Sequence, residues 1–259
     1  MPPFADRFSR FNVFFVVRFM KIRQQTCTKG CLNGERVYIR DNKKAKIQIL
    51  SLLHTQDVNI DRISSKQVVS FIHDNQLYQL DDFAALESFC PKSNCTKAFY
   101  THHKTFHIRE GIDKVWDAYK NIHPKEAWCG NMLQFGMQYC RKNNSISYID
   151  DEYTGAKAGQ IVLIRVKALG GLAKVAVGHE ITAVHEKEKC LETSYLVKGK
   201  SLGSQRIQLT TTEDGFTEIS HHTIYKSGSW LRDKIIYPFF HTKAIREFHN
   251  NIRRSLGLA

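Results

Sequence analysis

Histidine and tyrosine recur at every second position in segments that read as β-strands, and that spacing puts them on one face. In 217–225 the shared face holds Thr217, Ile219, His221, Thr223 and Tyr225. In 175–183 it holds Val175, Val177, His179, Ile181 and Ala183, and in 189–197 it holds Leu191, Thr193, Tyr195 and Val197. In 204–210 a polar face of Ser204, Arg206, Gln208 and Thr210 stands opposite Ile207 and Leu209. Imidazole, phenol and guanidinium groups on otherwise apolar walls are what a small-molecule pocket uses: apolar burial binds and a few polar groups orient. His179, Tyr195, Arg206, His221 and Tyr225 are therefore expected to line a ligand cavity, with Trp116, Trp128 and Phe239 adding aromatic surface. The competing reading of His179 and His221 is a satisfied core or rim histidine. His179 with Glu180, and His221 with His222, make no acid–base pair, because adjacent strand residues point to opposite faces. Acid–base catalysis would need a histidine joined by a tyrosine or carboxylate from another strand.

Other reactive groups are weaker signals. Cys27, Cys31, Cys90 and Cys95 make two pairs near Gly30 and Pro91, as a four-thiolate zinc site would require. Neither pair has the common two-residue spacing, so free structural thiols are the preferred reading and no metal or other cofactor is expected. His102, His103, Lys104 and His107 crowd one segment, with His103 and His107 on one face and His102 and Lys104 on the other; a solvated strand face is expected there. Arg253 and Arg254 suit the end of a helix, whose dipole favours cations.

Seven cysteines in 259 residues, an odd number in a chain large enough to need no disulfides, point to a reducing, cytoplasmic setting. The formal charge of +13 favours anionic partners, including peripheral contact with an anionic membrane. Lys and Arg are spread along the chain, however, and the densest group is Lys43, Lys44 and Lys46. A helix-turn-helix within 43–77 would present Lys66 and Gln67, but Val68, Val69, Phe71 and Ile72 make its second helix too apolar to read bases; nucleic acid is not expected as a partner. Residues 11–20 are apolar after Arg7 and Arg10, yet Arg18 interrupts the run. They read as a loose leader, organellar if it is a targeting segment, or as an extension upstream of a start at Met20.

The elements that must position these groups follow from periodicity. Helices are expected in 43–54, after Ser64 or Ser65, and from Asp81, making 1–96 a mostly helical extension. Pro91, Ser93 and Asn94 mark the boundary, and 97–259 forms the second domain. It opens with a strand over 97–108 and a helix over 111–122, which His123 and Pro124 end. Residues 125–140 read as a short helix plus loop, with Trp128, Met132, Phe135 and Met137 as a mobile lid or as ordinary packing. Strands then follow at 145–150, 160–169, 174–185, 189–197, 204–212 and 216–225, with Gly170-Gly171 and Asp214-Gly215 as tight turns. Leu231, Ile235, Phe239, Ile245, Phe248, Ile252 and Leu256 define one apolar stripe of a closing helix, in which Pro238 predicts a kink or a division. The result is α+β: a curved antiparallel sheet of about seven strands wrapped on a long C-terminal helix.

The segment REGIDKVWDAYKNI (109–122) and the closing YKSGSWLRDKIIYPFFHTKAIREFHNNIRRSL (225–256) resemble the first strand-to-helix passage and the last strand and helix of the START/polyketide-cyclase (SRPBCC, helix-grip) superfamily. The resemblance covers about 97–258. It implies a cavity between sheet and C-terminal helix that holds a hydrophobic or amphipathic molecule such as a lipid or polyketide. A minority of that superfamily catalyses cyclisation or dehydration, and no universal catalytic residue carries over. The leading expectation is thus a ligand-binding protein. The second is a cyclase- or dehydratase-type enzyme with His179, His221 and Tyr195 at its centre. The third is a regulatory module acting through the N-terminal helices.

Overall fold

The computed structural model describes residues 57–90, 99–168 and 171–258. The first described elements are two short helices. In α1 (Lys66–Asp74) the Ser65 hydroxyl accepts from the Val68 N–H, which caps the helix, and Val68 and Ile72 are buried. In α2 (Leu80–Ala84) the Asp82 carboxylate accepts from the Tyr78 and Gln79 N–H groups at 2.9 Å, and Phe83 is buried. Strand β1 (Tyr100–Ile108) leads to α3 (Ile112–Asn121) and to α4 (Pro124–Ala127), where proline occupies the first turn and needs no hydrogen-bond donor. Then come β2 (Leu133–Cys140), β3 (Ser145–Ser147), β4 (Gln160–Ala168), β5 (Ala173–His185), β6 (Cys190–Tyr195), β7 (Leu202–Thr211) and β8 (Thr217–Lys226). A π-helical turn (Arg232–Ile236) runs into the closing helix α5 (Tyr237–Ser255).

All strands join one antiparallel sheet in the order β1-β8-β7-β6-β5-β4-β2-β3. With α5 across one face, this is the helix-grip layout. The sheet has eight strands rather than about seven, and the added one is β2. It occupies the segment 128–139 that read as a lid or as ordinary packing: Leu133, Phe135, Met137 and Tyr139 are all buried. These four alternate along the strand, but its register shifts between Phe135 and Met137, so the first two pack on one face of the sheet and the last two on the other. Gly136 sits at that shift, where an added Cβ would meet Val68 Cγ2 at 2.7 Å and the Leu163 carbonyl oxygen at 2.9 Å.

Each face of the sheet carries its own core. The inner core joins Val115, Trp116, Phe135, Val162, Ile164, Leu191, Ile207, Phe248 and Ile252. The outer core joins Val68, Ile72, Leu77, Phe83 and Leu86 to Met137, Tyr139, Ile161, Leu163 and Leu196. Residues 57–90 thus share a core with the sheet. Arg141 fastens this face: its Nε donates to Glu180 at 2.8 Å and its Nη1 to the Ala84 carbonyl at 2.7 Å. The apolar face of α1 is taken up by the sheet, and the first helix of the expected helix-turn-helix, 43–54, lies outside the described residues. Among the described residues, no helix is long and apolar enough to cross a membrane.

Pro238 marks a division at the C-terminus. It lies in the first turn of α5, where proline is tolerated, and the chain before it is wound as a π-turn. The expected stripe breaks at this point. Ile245, Phe248 and Ile252 are buried, whereas Leu231, Ile235 and Phe239 are more than half exposed, at 52%, 55% and 55%. A π-turn carries more residues per turn than an α-helix and so shifts the phase of Leu231 before it; Phe239, within α5, is six residues from Ile245 and so lies on another side of the helix.

Phe83→Ala tests whether 57–90 is part of the fold. The change should destabilise the whole unit by about 3–5 kcal/mol in chemical denaturation. An unchanged main transition would make these helices an appendage.

Candidate functional site

The inner face near β8 departs from an ordinary apolar core. Alternation along β8 buries Thr217, Ile219, His221, Thr223 and Tyr225, and the neighbouring strands add Gln205 from β7, Tyr195 from β6 and His102 from β1. From above, α5 contributes Tyr237, His241, Ile245 and His249, spaced four residues apart on one side of the helix. Tyr119 of α3 completes the layer.

These groups form a continuous hydrogen-bonded chain whose proton positions follow from the orientation of Gln205. Its Nε2 donates to the Tyr195 hydroxyl at 2.6 Å and its Oε1 accepts from His221 Nε2 at 2.8 Å. His221 Nδ1 is then an acceptor and takes the proton of His249 Nε2 at 2.9 Å. His249 Nδ1 in turn accepts from the Tyr119 hydroxyl at 2.5 Å. At the far end the Tyr195 and Tyr237 hydroxyls lie 2.6 Å apart and share one hydrogen bond, in which either oxygen can donate. Every link is satisfied with neutral side chains.

A second set adjoins the first. Thr242 Oγ1 donates to the Pro238 carbonyl at 2.7 Å and so accepts from His102 Nε2 at 2.9 Å. His102 Nδ1 therefore accepts from His241 Nδ1 at 3.1 Å, which leaves His241 Nε2 as a buried acceptor without a partner. The ring of Tyr237 lies between those of Tyr225 and His241, with centroids 3.7 Å and 4.9 Å away and nearly parallel planes. The Tyr225 hydroxyl donates to the Asp233 carbonyl at 2.7 Å, tying β8 to the π-turn. Thr223 Oγ1, Ser227 Oγ, Arg232 Nε and Asp233 Oδ1 are further buried polar atoms without a partner, on β8, on the π-turn and between them.

Burial suppresses charge throughout. Desolvation first, then the neighbouring His249 and His102, hold His221 well below the usual imidazole range. His241 is held well below it by desolvation, then by His221 and His102. His249 is pushed down to about 3 by desolvation and then by His241. Desolvation lowers His102 as well, helped by Lys104 and His103. Burial raises the Tyr195 phenol to about 12 and drives Tyr119 and Tyr237 upward. At neutral pH the layer is uncharged. Each imidazole can pass a proton along but is too weak a base to abstract one from a substrate.

The structure distributes the sequence-derived residues unevenly. His221 and Tyr195 lie in the chain, and Tyr225 stacks beside it. His179 stands apart, packed on Trp128 with ring centroids 5.0 Å apart; its Nδ1 has no partner and burial pushes it down to about 4. Trp128 also stacks on Phe248. Trp116 is a core residue whose indole N–H donates to Glu186 at 2.8 Å. Two expectations are corrected. Arg206 lies on the outer face, exposed and donating to Glu192 and Gln208, because Gln205, Ile207 and Leu209 hold the inner positions of β7. Phe239 points outward, with the Lys243 ammonium 4.3 Å from its ring centroid. His102 is buried rather than solvated, while His103 and His107 on the opposite face meet Ser220 and Glu218. In β5 the register shifts between Ile181 and Ala183, so Val184 instead of Ala183 packs on the inner core. The chain members that pattern reading missed are Tyr119, Gln205, Tyr237 and His249, with His102 and His241 beside them. Gln205 was accessible from its alternation with Ile207 and Leu209, and His241 and His249 from their spacing about Ile245.

The space expected to be hollow at His221 is filled by these side chains. Two surface hollows lie elsewhere. One, of about 340 Å³, is lined by residues including Trp128, Phe135, Ile149 and Arg165; the other, of about 280 Å³, by residues including Cys129, Asn251 and Arg254. Of the four cysteines weighed as zinc ligands only Cys90 is described, as an exposed thiol; Cys27, Cys31 and Cys95 lie outside the described residues. Among the described residues, no three His, Cys, Asp or Glu side chains are arranged to hold a metal ion.

No family profile matches the chain, and no curated protein matches it in sequence. In structure it is similar to several solved proteins, each at a TM-score below 0.5. Norcoclaurine synthase from Thalictrum flavum, solved as a point mutant with a transition-state analogue, matches at TM-score 0.45 and 13% identity over 61% of this chain and 93% of that one. Ara h 8.0201 matches at 0.44 and 13% over 62% and 99%, and major latex-like protein 151 from Panax ginseng at 0.44 and 12% over 61% and 97%.

Two outcomes test the layer. The unfolded chain takes up protons on its histidines near pH 6.5, while the buried ones do so only at lower pH. Between those values the unfolded state binds more protons, so stability is level above about pH 7 and falls as pH drops. The fall is about 1.4 kcal/mol per pH unit for each histidine kept neutral. His179→Phe should reduce the pH slope of unfolding by about one proton. Gln205→Leu, which strands His221 Nε2 and the Tyr195 hydroxyl, should cost about 1–3 kcal/mol per group in urea unfolding.

Proposed function

We propose that this protein binds a small hydrophobic or amphipathic molecule carrying a hydroxyl group, between β8 and the first turns of α5. One observation carries the reading. Where the hydrogen-bonded chain ends, His241 Nε2, one turn along the helix from Tyr237, is a buried acceptor without a donor. Buried polar atoms are normally paired, and each one left unpaired costs about 1–3 kcal/mol. A ligand hydroxyl supplies the missing donor to His241. Tyr225, Tyr237 and the outer turns of α5 supply apolar surface for the rest of the molecule. The π-turn, its Arg232 and Asp233 side chains each holding an unpaired buried atom, is the segment that moves to admit it.

The layer suits binding better than catalysis. A base effective at neutral pH needs an affinity for protons near that pH, and burial holds His221, His241 and His249 well below it. The thiols of Cys90, Cys129, Cys140 and Cys190 are free, which fits a reducing, cytoplasmic setting.

Native mass spectrometry of the purified protein, followed by denaturing extraction, tests for an occupant. Thermal shift with naphthol and farnesol, each beside its methyl ether, tests the hydroxyl. The free alcohols should raise Tm more than the ethers, and His241→Phe should erase the difference. An empty protein that gains no stability from any of these compounds would overturn the reading.

A further inference from the structure

The corner where β8 passes into α5 exposes large apolar side chains. Trp230 is 62% exposed, Leu231 52%, Ile235 55% and Phe239 55%. They share the stretch from the turn after β8 to the start of α5, and the π-turn between them also carries the buried Asp233. Cations stand over their rings: the Lys234 ammonium lies 5.4 Å from the Trp230 centroid and that of Lys243 4.3 Å from Phe239. Arg232 reaches across to the 197–200 loop, donating to the Lys200 carbonyl at 2.7 Å and to the Ser227 carbonyl at 2.6 Å. That loop adds the exposed Val197, Lys198 and Lys200, and Lys226 is exposed at the end of β8. The only acidic residue in 219–246 is Asp233, which is buried and accepts from the Ser227 N–H at 3.0 Å. Its charge is withdrawn from the surface.

We propose that this corner docks on an anionic lipid bilayer, Trp230, Leu231, Ile235 and Phe239 entering the interface while Lys234, Lys243 and the 197–200 lysines meet the headgroups. The chemistry is that of an interfacial contact: aromatic and aliphatic groups sit at the headgroup–acyl boundary, and long lysine stems cover apolar surface while their ammonium groups reach anionic phosphate. A second copy of the chain fits the corner less well. A two-fold contact would set Lys234 and Lys243 against their own counterparts and oppose like charges across a buried surface. This docking is independent of the ligand reading, since it needs nothing beneath α5.

The test is co-sedimentation of the full-length chain with phosphatidylcholine vesicles, with and without phosphatidylserine, at low and high salt. Binding should require phosphatidylserine and weaken with salt. The Trp230→Ser/Phe239→Ser and Lys234→Glu/Lys243→Glu double variants should each lower partitioning by about tenfold or more. All the replaced side chains are exposed, so unchanged unfolding transitions establish that the variants fold. The proposal fails if the wild type does not bind, if it binds neutral vesicles equally well, or if the variants bind as the wild type does. It also fails if the aromatic variant abolishes only self-association in sedimentation.

Discussion

The inner layer of this protein rests on one requirement: imidazoles and phenols taken out of water must stay neutral and find one another. Charging any of them beneath α5 would leave an uncompensated ion in a poorly solvating interior. The solution is a run of donors and acceptors in which each side chain uses one function on each side, Tyr119 to His249 to His221 to Gln205 to Tyr195 to Tyr237. Gln205 sets the direction, because an amide is the one member with a donor and an acceptor on separate atoms that do not exchange. The position of α5 follows from this run. Tyr237 and His249 reach the strands only if the helix crosses β6, β7 and β8 at one height and one rotation.

The sheet has to serve two cores at once. Along β4, Ile161 and Leu163 face α1 and α2 while Val162 and Ile164 face the closing helix. A strand covered on both sides is held against sliding from both, so the inner layer is built on a stiff wall. The Arg141–Glu180 pair and the backbone pairing of Phe89 with Tyr195 carry that stiffness to β6, which holds Tyr195.

Strands with one solvated face were legible in the sequence because alternation betrays them; β6, β7 and β8 and their turns came out close to where they lie. Strand β2 was illegible because its alternation changes face part-way. The register shift at Gly136 sends Leu133 and Phe135 to one core and Met137 and Tyr139 to the other, and what remains reads as a loop rich in Met and aromatic residues. The closing helix was legible as a helix but not in its phase, since no pattern of apolar residues announces a π-turn. The candidate site was half legible. His221 and Tyr195 sit on strands whose alternation exposes them, and Gln205 was passed over because a polar residue between apolar ones suggests a surface. His241 and His249 were hidden by the expectation that a helix buries only apolar side chains. Arg206 and Phe239 carried the right chemistry on the wrong face.

The π-turn at Arg232–Ile236 also makes the two sides of this corner separable by length alone. Removing one residue there would let the segment wind as an ordinary α-helix and rotate everything before it by roughly 100° relative to α5. Trp230 and Leu231 would swing out of line with Phe239, while His241 and His249 would keep their places over the strands. Chain length in this short stretch is thus a rotary setting between an outward surface and an inward one. Lineages of this fold could retune one without disturbing the other through a single-codon insertion or deletion, a kind of change that composition and residue type do not register.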